Sequence, residues 1–233
     1  MNKIEESLTV VIPCYNEKDT IEAIVDRVLQ APIKDLEVIV VDNCSTDGTR
    51  EIIREKVESR VDKVIYNEVN IGKGGSLGKG FKEATKDIVI VQDADLEYNP
   101  IKDYPRLIKP IIDGEADVVY GSRFLNKDNE KGRWINYVGN HIFTWFSNLM
   151  TGLKLTDVET CYKTFKREII QSITLCESGF GFEPEVTAKI AAKKCKVLEV
   201  PVDYYPRKTN EGKKVKFRHG LLTLYCIAKY RKG

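Results

Sequence analysis

Short runs of Val and Ile recur along the chain: LTVVI (8–12), LEVIVV (36–41), DKVIY (62–66), IVIV (88–91), ADVVY (116–120) and KVLEV (196–200). Continuous apolar runs of this length suit strands buried on both faces, as in parallel sheets covered by helices. Between them the period changes. From Thr20 to Gln30, residues Ile21, Ile24, Val25 and Val28 fall on one helical face. From Thr49 to Val57, Ile52, Ile53 and Val57 do the same, after the capping candidates Ser45, Thr46 and Asp47. Strand and helix alternate over the first 120 residues, which predicts an α/β fold with a doubly wound, mostly parallel sheet and helices on both faces. Beyond residue 121 the pattern is less regular, with helices expected at 134–151, 184–194 and 218–230. Without a repeat, linker or low-complexity stretch, residues 1–233 read as one domain in two halves, 1–121 and 122–233.

Polar residues collect where these strands end. PCYNE (13–17) follows the first run, DNCSTDGT (42–49) the second and DADLE (93–97) the fourth. Turn chemistry accounts for any one such loop. Three of them at the carboxyl ends of neighbouring parallel strands mark the place where open α/β sheets bind ligands. Asp93, Asp95 and Glu97 put three carboxylates in five positions, an arrangement that repels itself unless a cation is present. Oxygen ligands of this kind suit Mg²⁺ or Mn²⁺, with a substrate's phosphates completing the shell. The glycine-rich stretch NIGKGGSLGKG (70–80) is no Walker loop, because Gly78-Lys79 is followed by Gly80 rather than Ser or Thr. Read as a dinucleotide fingerprint its glycine spacing is off, and PCYNE and GSRF (121–124) stay unexplained.

Composition narrows the classes. The chain is 42% hydrophobic and 31% charged, a globular balance, and its net charge of +2 makes no global electrostatic case for nucleic acid. Basic charge is local: Arg207 to Arg218 holds six Lys or Arg residues against Glu211 alone. The six cysteines lack metal spacing and read as reduced thiols. His141 and His219 have no spaced partner that would make a metal pair. No apolar stretch approaches the roughly 18 residues of a spanning helix, and MNKIEESLTVV lacks a signal-peptide core. The expectation is a cytoplasmic protein, soluble or peripheral on the inner face of the membrane. Residues 219–233 form a largely apolar helix with basic residues at its end, suited either to an anionic membrane surface or to packing on its own domain. The aromatic helix bearing Trp134, Ile135, Phe143, Trp145, Phe146 and Leu149 either borders a lipid groove or packs on the sheet.

PCYNE, Asp42 with DGT, QDADLE and GSRF, in that order, resemble the signature of inverting nucleotide-sugar glycosyltransferases with the GT-A fold. Within that family the chain is most similar to the polyprenyl-phosphate (dolichyl-phosphate mannose synthase-like) branch, with NIGKGGSLGKG, GFEPEVTAKI (181–190) and YYPRKTNEGKKVKFRHG (204–220) as further matches. The QxxRW motif of processive polysaccharide synthases is absent. The resemblance implies that Pro13 and Tyr15 shape a base pocket and that Glu17 and Asp42 accept hydrogen bonds from the base or ribose. The second acid that the family often carries after Asp42 is here Asn43. It further implies that Asp93 meets ribose and metal, that Asp95 is the central metal ligand and that Glu97 completes the shell. Lys73 would lie near the nucleotide-sugar, with glycines letting the backbone pass close to it. A polyprenyl phosphate acceptor is already ionised and needs cations rather than a base. Arg123, Arg133, Arg207 and Lys214 are the candidates, with Asp95, Arg123 and Arg207 at the chemistry. A hydroxyl acceptor would instead need a general base, Glu183 or Glu185. The implied partners are a GDP- or UDP-linked sugar, the lipid phosphate and a membrane surface, with room for a membrane subunit that delivers the lipid. A nucleotide-sugar-binding or scaffold protein without turnover is the reading from another class.

Overall fold

The computed structural model describes residues 7–129, 134–179, 181–207 and 217–231, and of residues 134–136 and 217–222 the backbone alone. Seven strands form one sheet in the order β3-β2-β1-β4-β6-β5-β7. β1 (Ser7–Cys14), β2 (Asp35–Asp42), β3 (Lys63–Tyr66), β4 (Ile88–Val91), β5 (Val118–Ser122) and β7 (Val197–Pro201) correspond to the six Val/Ile runs. β1 to β4 pair in parallel, as do β5 and β7. The seventh strand, β6 (Lys163–Lys166), lies antiparallel between β4 and β5. Its four residues, KTFK, carry two lysines and no apolar run, so nothing in its pattern announces a strand.

Alternate residues of the strands feed two cores, one on each face. Leu8, Val10 and Ile12 of β1 pack with α1 (Ile21–Leu29), the α2 turn (Thr49–Ile52) continued by the π-helical turn Ile53–Val57, and α4 (Pro100–Ile112). Val11, Val89 and Val91 face the other core, with Leu77 and Phe81 of α3 (Gly72–Glu83), Ile170 of α6 (Arg167–Gln171), and Phe182, Val186 and Ile190 of α7 (Phe182–Ala192). The long helices α5 (Trp134–Thr151) and α8 (Phe217–Tyr230) pack on α7 and on each other. Helices on both faces of a mostly parallel sheet are the predicted class.

Three helices were not visible in the apolar pattern, the short α6 among them. α4 contains Pro105 and Pro110, yet begins in a favourable way with Pro100 at its first position, and it buries Tyr104, Leu107, Ile108 and Ile111. Another is α3: the glycines expected to let the backbone pass close to a nucleotide-sugar lie in a helix, residues 72–83, where they serve close packing. A β-carbon on Gly74 would collide with the carbonyl of Glu177, and one on Gly80 with Val11 of β1. The helix can therefore lie tight on the sheet and on the 177–179 segment, a gain that offsets the roughly 1 kcal/mol that glycine costs in a helix interior. Replacing Gly80 by Ala improves helix propensity by about 1 kcal/mol but overpacks Val11, which costs about 1–3 kcal/mol. Urea unfolding of Gly80→Ala is thus expected to show net destabilisation. A gain in stability would mean that the helix is not held this close.

Candidate functional site

The sheet brings the three predicted loops to one edge and interlocks them. Asn16, at φ 52°, donates its N–H to Ser45 Oγ (3.0 Å) and accepts from the Thr46 N–H through Oδ1 (2.9 Å). The Glu17 N–H donates to Thr49 Oγ1 (2.8 Å). The Thr20 hydroxyl reaches both Glu17 Oε2 (3.0 Å) and the Ala94 carbonyl (2.8 Å), which ties PCYNE to DADLE. Beneath DADLE, fully buried Gln92 accepts from the hydroxyls of Tyr104 and Tyr162, each at 2.9 Å. The aspartates that follow thus start from a fixed point.

Lys73, in the first turn of α3, reaches over this edge. Its ammonium is 2.9 Å from Asp93 Oδ1, 2.9 Å from Glu183 Oε1 and 3.3 Å from Cys161 Sγ. Burial disfavours the charge on Lys73, but Asp93, Cys161 and Glu183 outweigh it and hold its pKa well above the usual lysine value. The same balance holds Asp93 below its ordinary range: burial pushes it up, and Lys73 pulls it further down. Asp95 is different. Burial, then the charges of Asp93 and Glu97, push it up to about 7 against the opposing pull of Arg207. Negative charge is in surplus there. Among the described residues no three His, Cys, Asp or Glu side chains form a preformed metal cage. What the donor set provides is two carboxylates, Asp93 and Asp95, with an excess of charge that a cation arriving with a diphosphate would relieve, so the residues fit that kind of shared site.

Glu97, expected to complete a metal shell, has other partners. Its carboxylate accepts from the Tyr204 hydroxyl (3.1 Å) and the Arg207 N–H (2.9 Å), and its carbonyl accepts from the Tyr205 N–H (2.8 Å). It fastens the strap that leaves β7 over the site. On that strap Arg207 has its guanidinium forked on Glu17 (2.7 and 3.3 Å) and 3.9 Å from Asp95. Asp42 is fully buried, with Arg50 Nε at 2.7 Å and the Ser45 N–H at 3.3 Å on its oxygens. That carboxylate is paired with Arg50. Pro13 is the penultimate residue of β1, beside Val41, and Tyr15, half-buried, follows the strand at the same edge. Asn43 is buried as well and accepts the Ile71 N–H (2.8 Å), which fixes the start of α3.

On the far side of β4, Arg123 forms a two-pronged pair with buried Asp157, both bonds at 2.7 Å, with the Tyr204 ring 5.2 Å from its guanidinium carbon. The guanidinium has N–H donors beyond those two. Glu183 meets the site through Lys73, whereas Glu185 does not meet it. Glu185 is fully buried and accepts from the N–H groups of Cys176 (2.7 Å) and Glu177 (2.8 Å) and from Lys189 (2.6 Å), so it is a structural anchor and is removed as a candidate base. Arg133 and Lys214 lie outside the described residues. The sequence reading missed residues 157–163, which supply Asp157, Glu159, Cys161 and Lys163. The rule used there looks at the carboxyl ends of parallel strands, whereas β6 runs antiparallel and brings its amino end to the site edge, with Lys163 paired to Tyr120. The alternating acids Asp157 and Glu159 were the one available signal.

Residues 9–174 match the Glycosyl transferase family 2 pattern. The chain belongs to glycosyl transferase family 2. Among the relatives, an undecaprenyl-phosphate mannosyltransferase of Micrococcus luteus is 29% identical over 215 residues, covering 87% of this chain and 85% of that protein. A dolichol-phosphate mannosyltransferase of Pyrococcus furiosus is 31% identical over 216 residues, covering 88% of this chain and 58% of that one. An undecaprenyl-phosphate 4-deoxy-4-formamido-L-arabinose transferase of Edwardsiella ictaluri is 29% identical, and the chain spans 66% of its length. A crystal structure of glucosyl-3-phosphoglycerate synthase from Mycobacterium tuberculosis with Mn²⁺, UDP and glucosyl-3-phosphoglycerate has a TM-score of 0.70 at 20% identity, covering 97% of this chain and 80% of that chain. That likeness establishes the shared GT-A fold.

The strap over the site is held at its base by buried Asp103, whose oxygens accept the Asp203 N–H at 3.3 Å. Burial, and secondarily the charge of Asp203, raise Asp103 from 3.8 to about 7. A carboxyl raised on folding stabilises the protein below its unfolded pKa, and that contribution is lost as pH climbs from about 4 through about 7. Asp103→Asn is therefore expected to be more stable than the wild type at pH 8 by on the order of 1–3 kcal/mol, with no gain at pH 4. Thermal melts at the two pH values read the difference, and an equal effect at both would refute the assignment.

Proposed function

We propose that this family 2 protein transfers a hexose from a nucleoside diphosphate sugar to a polyprenyl phosphate. The observation that carries the reading is the convergence of Asp93, Asp95, Lys73 and Arg207 at one sheet edge. The polyprenyl-phosphate acceptors named for the relatives from Micrococcus and Pyrococcus support it.

In this reading the nucleoside lies over the loops after β1 and β2, near Pro13, Tyr15, Glu17 and Asp42, and the diphosphate lies over Asp93 and Asp95. These two aspartates would hold a Mg²⁺ or Mn²⁺, which supplies Lewis-acid stabilisation of the departing diphosphate when bound. The Mn²⁺ and UDP in the synthase crystal structure support that choice of group. Lys73 holds Asp93 ionised and in place. Arg207, delivered by the strap, adds positive charge beside Asp95. The acceptor phosphate is an ionised nucleophile at neutral pH, since its second pKa is about 6. The chain's task is then to position two anions, with Arg123, Arg133 and Lys214 on the acceptor side, rather than to remove a proton. Glu183 is paired with Lys73, which speaks against its use as the base for a hydroxyl acceptor.

A panel of GDP-mannose, UDP-glucose and UDP-N-acetylglucosamine with Mn²⁺ or Mg²⁺ and a short polyprenyl phosphate tests the proposal. One donor is expected to release nucleotide in equal amount to glycolipid formed. Nucleotide without glycolipid would reject the lipid acceptor. Asp95→Asn is expected to lower kcat/KM by about 100-fold or more, and an unchanged value would remove Asp95 from the chemistry.

The lipid acceptor calls for a membrane surface. Among the described residues no helix is long and apolar enough to cross a membrane. α5 has no Asp, Glu, Lys or Arg along its length. It nonetheless exposes Ile142 (52%), Trp145 (65%) and Leu149 (62%), residues three and four apart on one face, beside α8 with its exposed Tyr225. A face of this kind suits the bilayer interface. The double variant Trp145→Ser with Leu149→Ser is expected to cut co-sedimentation with anionic vesicles at least tenfold, since each exposed group would bury about 1.5–3 kcal/mol of apolar surface in lipid. Transfer to a soluble, short-chain polyprenyl phosphate should persist, and undiminished vesicle binding would exclude this face.

A further inference from the structure

The segment between α5 and β6 is clamped from below. Lys163, with no accessible surface, donates its ammonium to the carbonyls of Val158 (2.9 Å) and Thr160. Those carbonyls bracket Glu159. The Thr160 hydroxyl donates to the Gly121 carbonyl (2.6 Å), Asp157 holds Arg123, and Cys161 touches Lys73. Every chain neighbour of Glu159 is therefore tied to another element. One oxygen of its own carboxylate is not: Oε1 is shut off from solvent and has no hydrogen-bond partner. The buried ammonium beside it supplies none: Lys163 gives two of its three donors to those carbonyls and lies 4.6 Å from the centre of the Tyr120 ring. A buried carboxylate oxygen left without a donor is costly, and on a clamped residue it marks where a ligand's donor belongs.

The sheet order says which part of a ligand that is. Across the edge the order runs β2, β1, β4, β6. With the nucleoside over β2 and β1 and the diphosphate over Asp93 and Asp95 after β4, the next group along the molecule falls at the amino end of β6, where Glu159 sits. In the chain Glu159 lies between Asp157, which pairs with Arg123, and Cys161, whose sulfur is 3.3 Å from the Lys73 ammonium that also meets Asp93. Burial, reinforced by Glu183, pushes its pKa up to about 7 against Lys163 and Arg123, as expected for a carboxylate lacking a donor.

Building on the glycosyl-transfer reading, we propose that Glu159 is a specificity-determining residue whose carboxylate, on a half-buried side chain, accepts a hydrogen bond from a hydroxyl of the transferred sugar. The nucleoside and diphosphate do not touch it, so its loss affects the sugar alone.

The test is titration calorimetry with Mn²⁺ on the wild type, Glu159→Leu and the nearly isosteric Glu159→Gln, each first shown by thermal melting to be folded. The ligands are GDP, UDP, the three sugar nucleotides of the panel, and the monodeoxy sugar analogues of whichever binds best. The wild type is expected to bind one monodeoxy analogue about ten- to a hundredfold more weakly than its parent. Glu159→Leu should lose that discrimination while keeping its affinity for the free nucleoside diphosphate within about twofold, since a neutral removal of one contact leaves the other subsites intact. Glu159→Gln, which retains a carbonyl acceptor, should fall between. Unchanged discrimination in Glu159→Leu, or an equal loss of affinity for the free nucleoside diphosphate, would overturn the assignment and leave the glycosyl-transfer reading standing. If the wild type binds no sugar nucleotide at all, that reading falls and this one with it.

Discussion

Lys73 stands between Asp93 and Glu183, 2.9 Å from an oxygen of each, and the rest of the site edge is arranged around that buried ammonium. Acids from both halves of the chain meet there: Glu17 and Asp93 from the first, Asp157, Glu159 and Glu183 from the second. Such a gathering stays folded only if cations are interleaved with it. Lys73, Arg123 and Arg207 each cross from one element to another to do so. Removing one partner of a buried pair costs about 3–5 kcal/mol, because the other charge is then left uncompensated. Fold stability and site geometry are therefore the same electrostatic problem. The balance is complete around Asp93 and incomplete around Asp95 and Glu159, and those are the two places where a ligand's cation or donor would fit.

The supports of this edge are steric as well as ionic. α3 can present Lys73 over Asp93 only because Gly74 and Gly80 let the helix lie against Glu177 and Val11. Gln92, gripped by two tyrosine hydroxyls, fixes the chain one residue before Asp93. Glu97 and Asp103 hold the two ends of the strap that carries Arg207. Glu97 and Glu185, expected as a metal ligand and a candidate base, are bound instead to backbone N–H groups and side chains of neighbouring segments.

Much was legible in the one-dimensional pattern. Six of the seven strands announced themselves as Val/Ile runs because both faces of the sheet are covered, and the polar loops at their ends located the site edge. The order of motifs also identified the family. Other features were hidden for physical reasons. β6 is four residues long and polar, so its apolar signal is no greater than a turn's. α3 hides behind glycines that usually punctuate loops, and α4 behind two internal prolines.

What the sequence by itself determined is local: where the chain can be buried on both sides, where a strand must end, and that Asp93 and Asp95 share a short turn. What only the tertiary structure decided is which distant groups meet them. Hydrophobic periodicity reports a residue's own burial and carries no record of its long-range partner, so it could not show that an antiparallel strand delivers Glu159 and Lys163 to the same edge. Nor could it show that Glu97 would be spent on Tyr204 and Arg207, residues more than a hundred positions away. Asp95 remained the acid in that turn with surplus charge because Lys73 had already been drawn to Asp93.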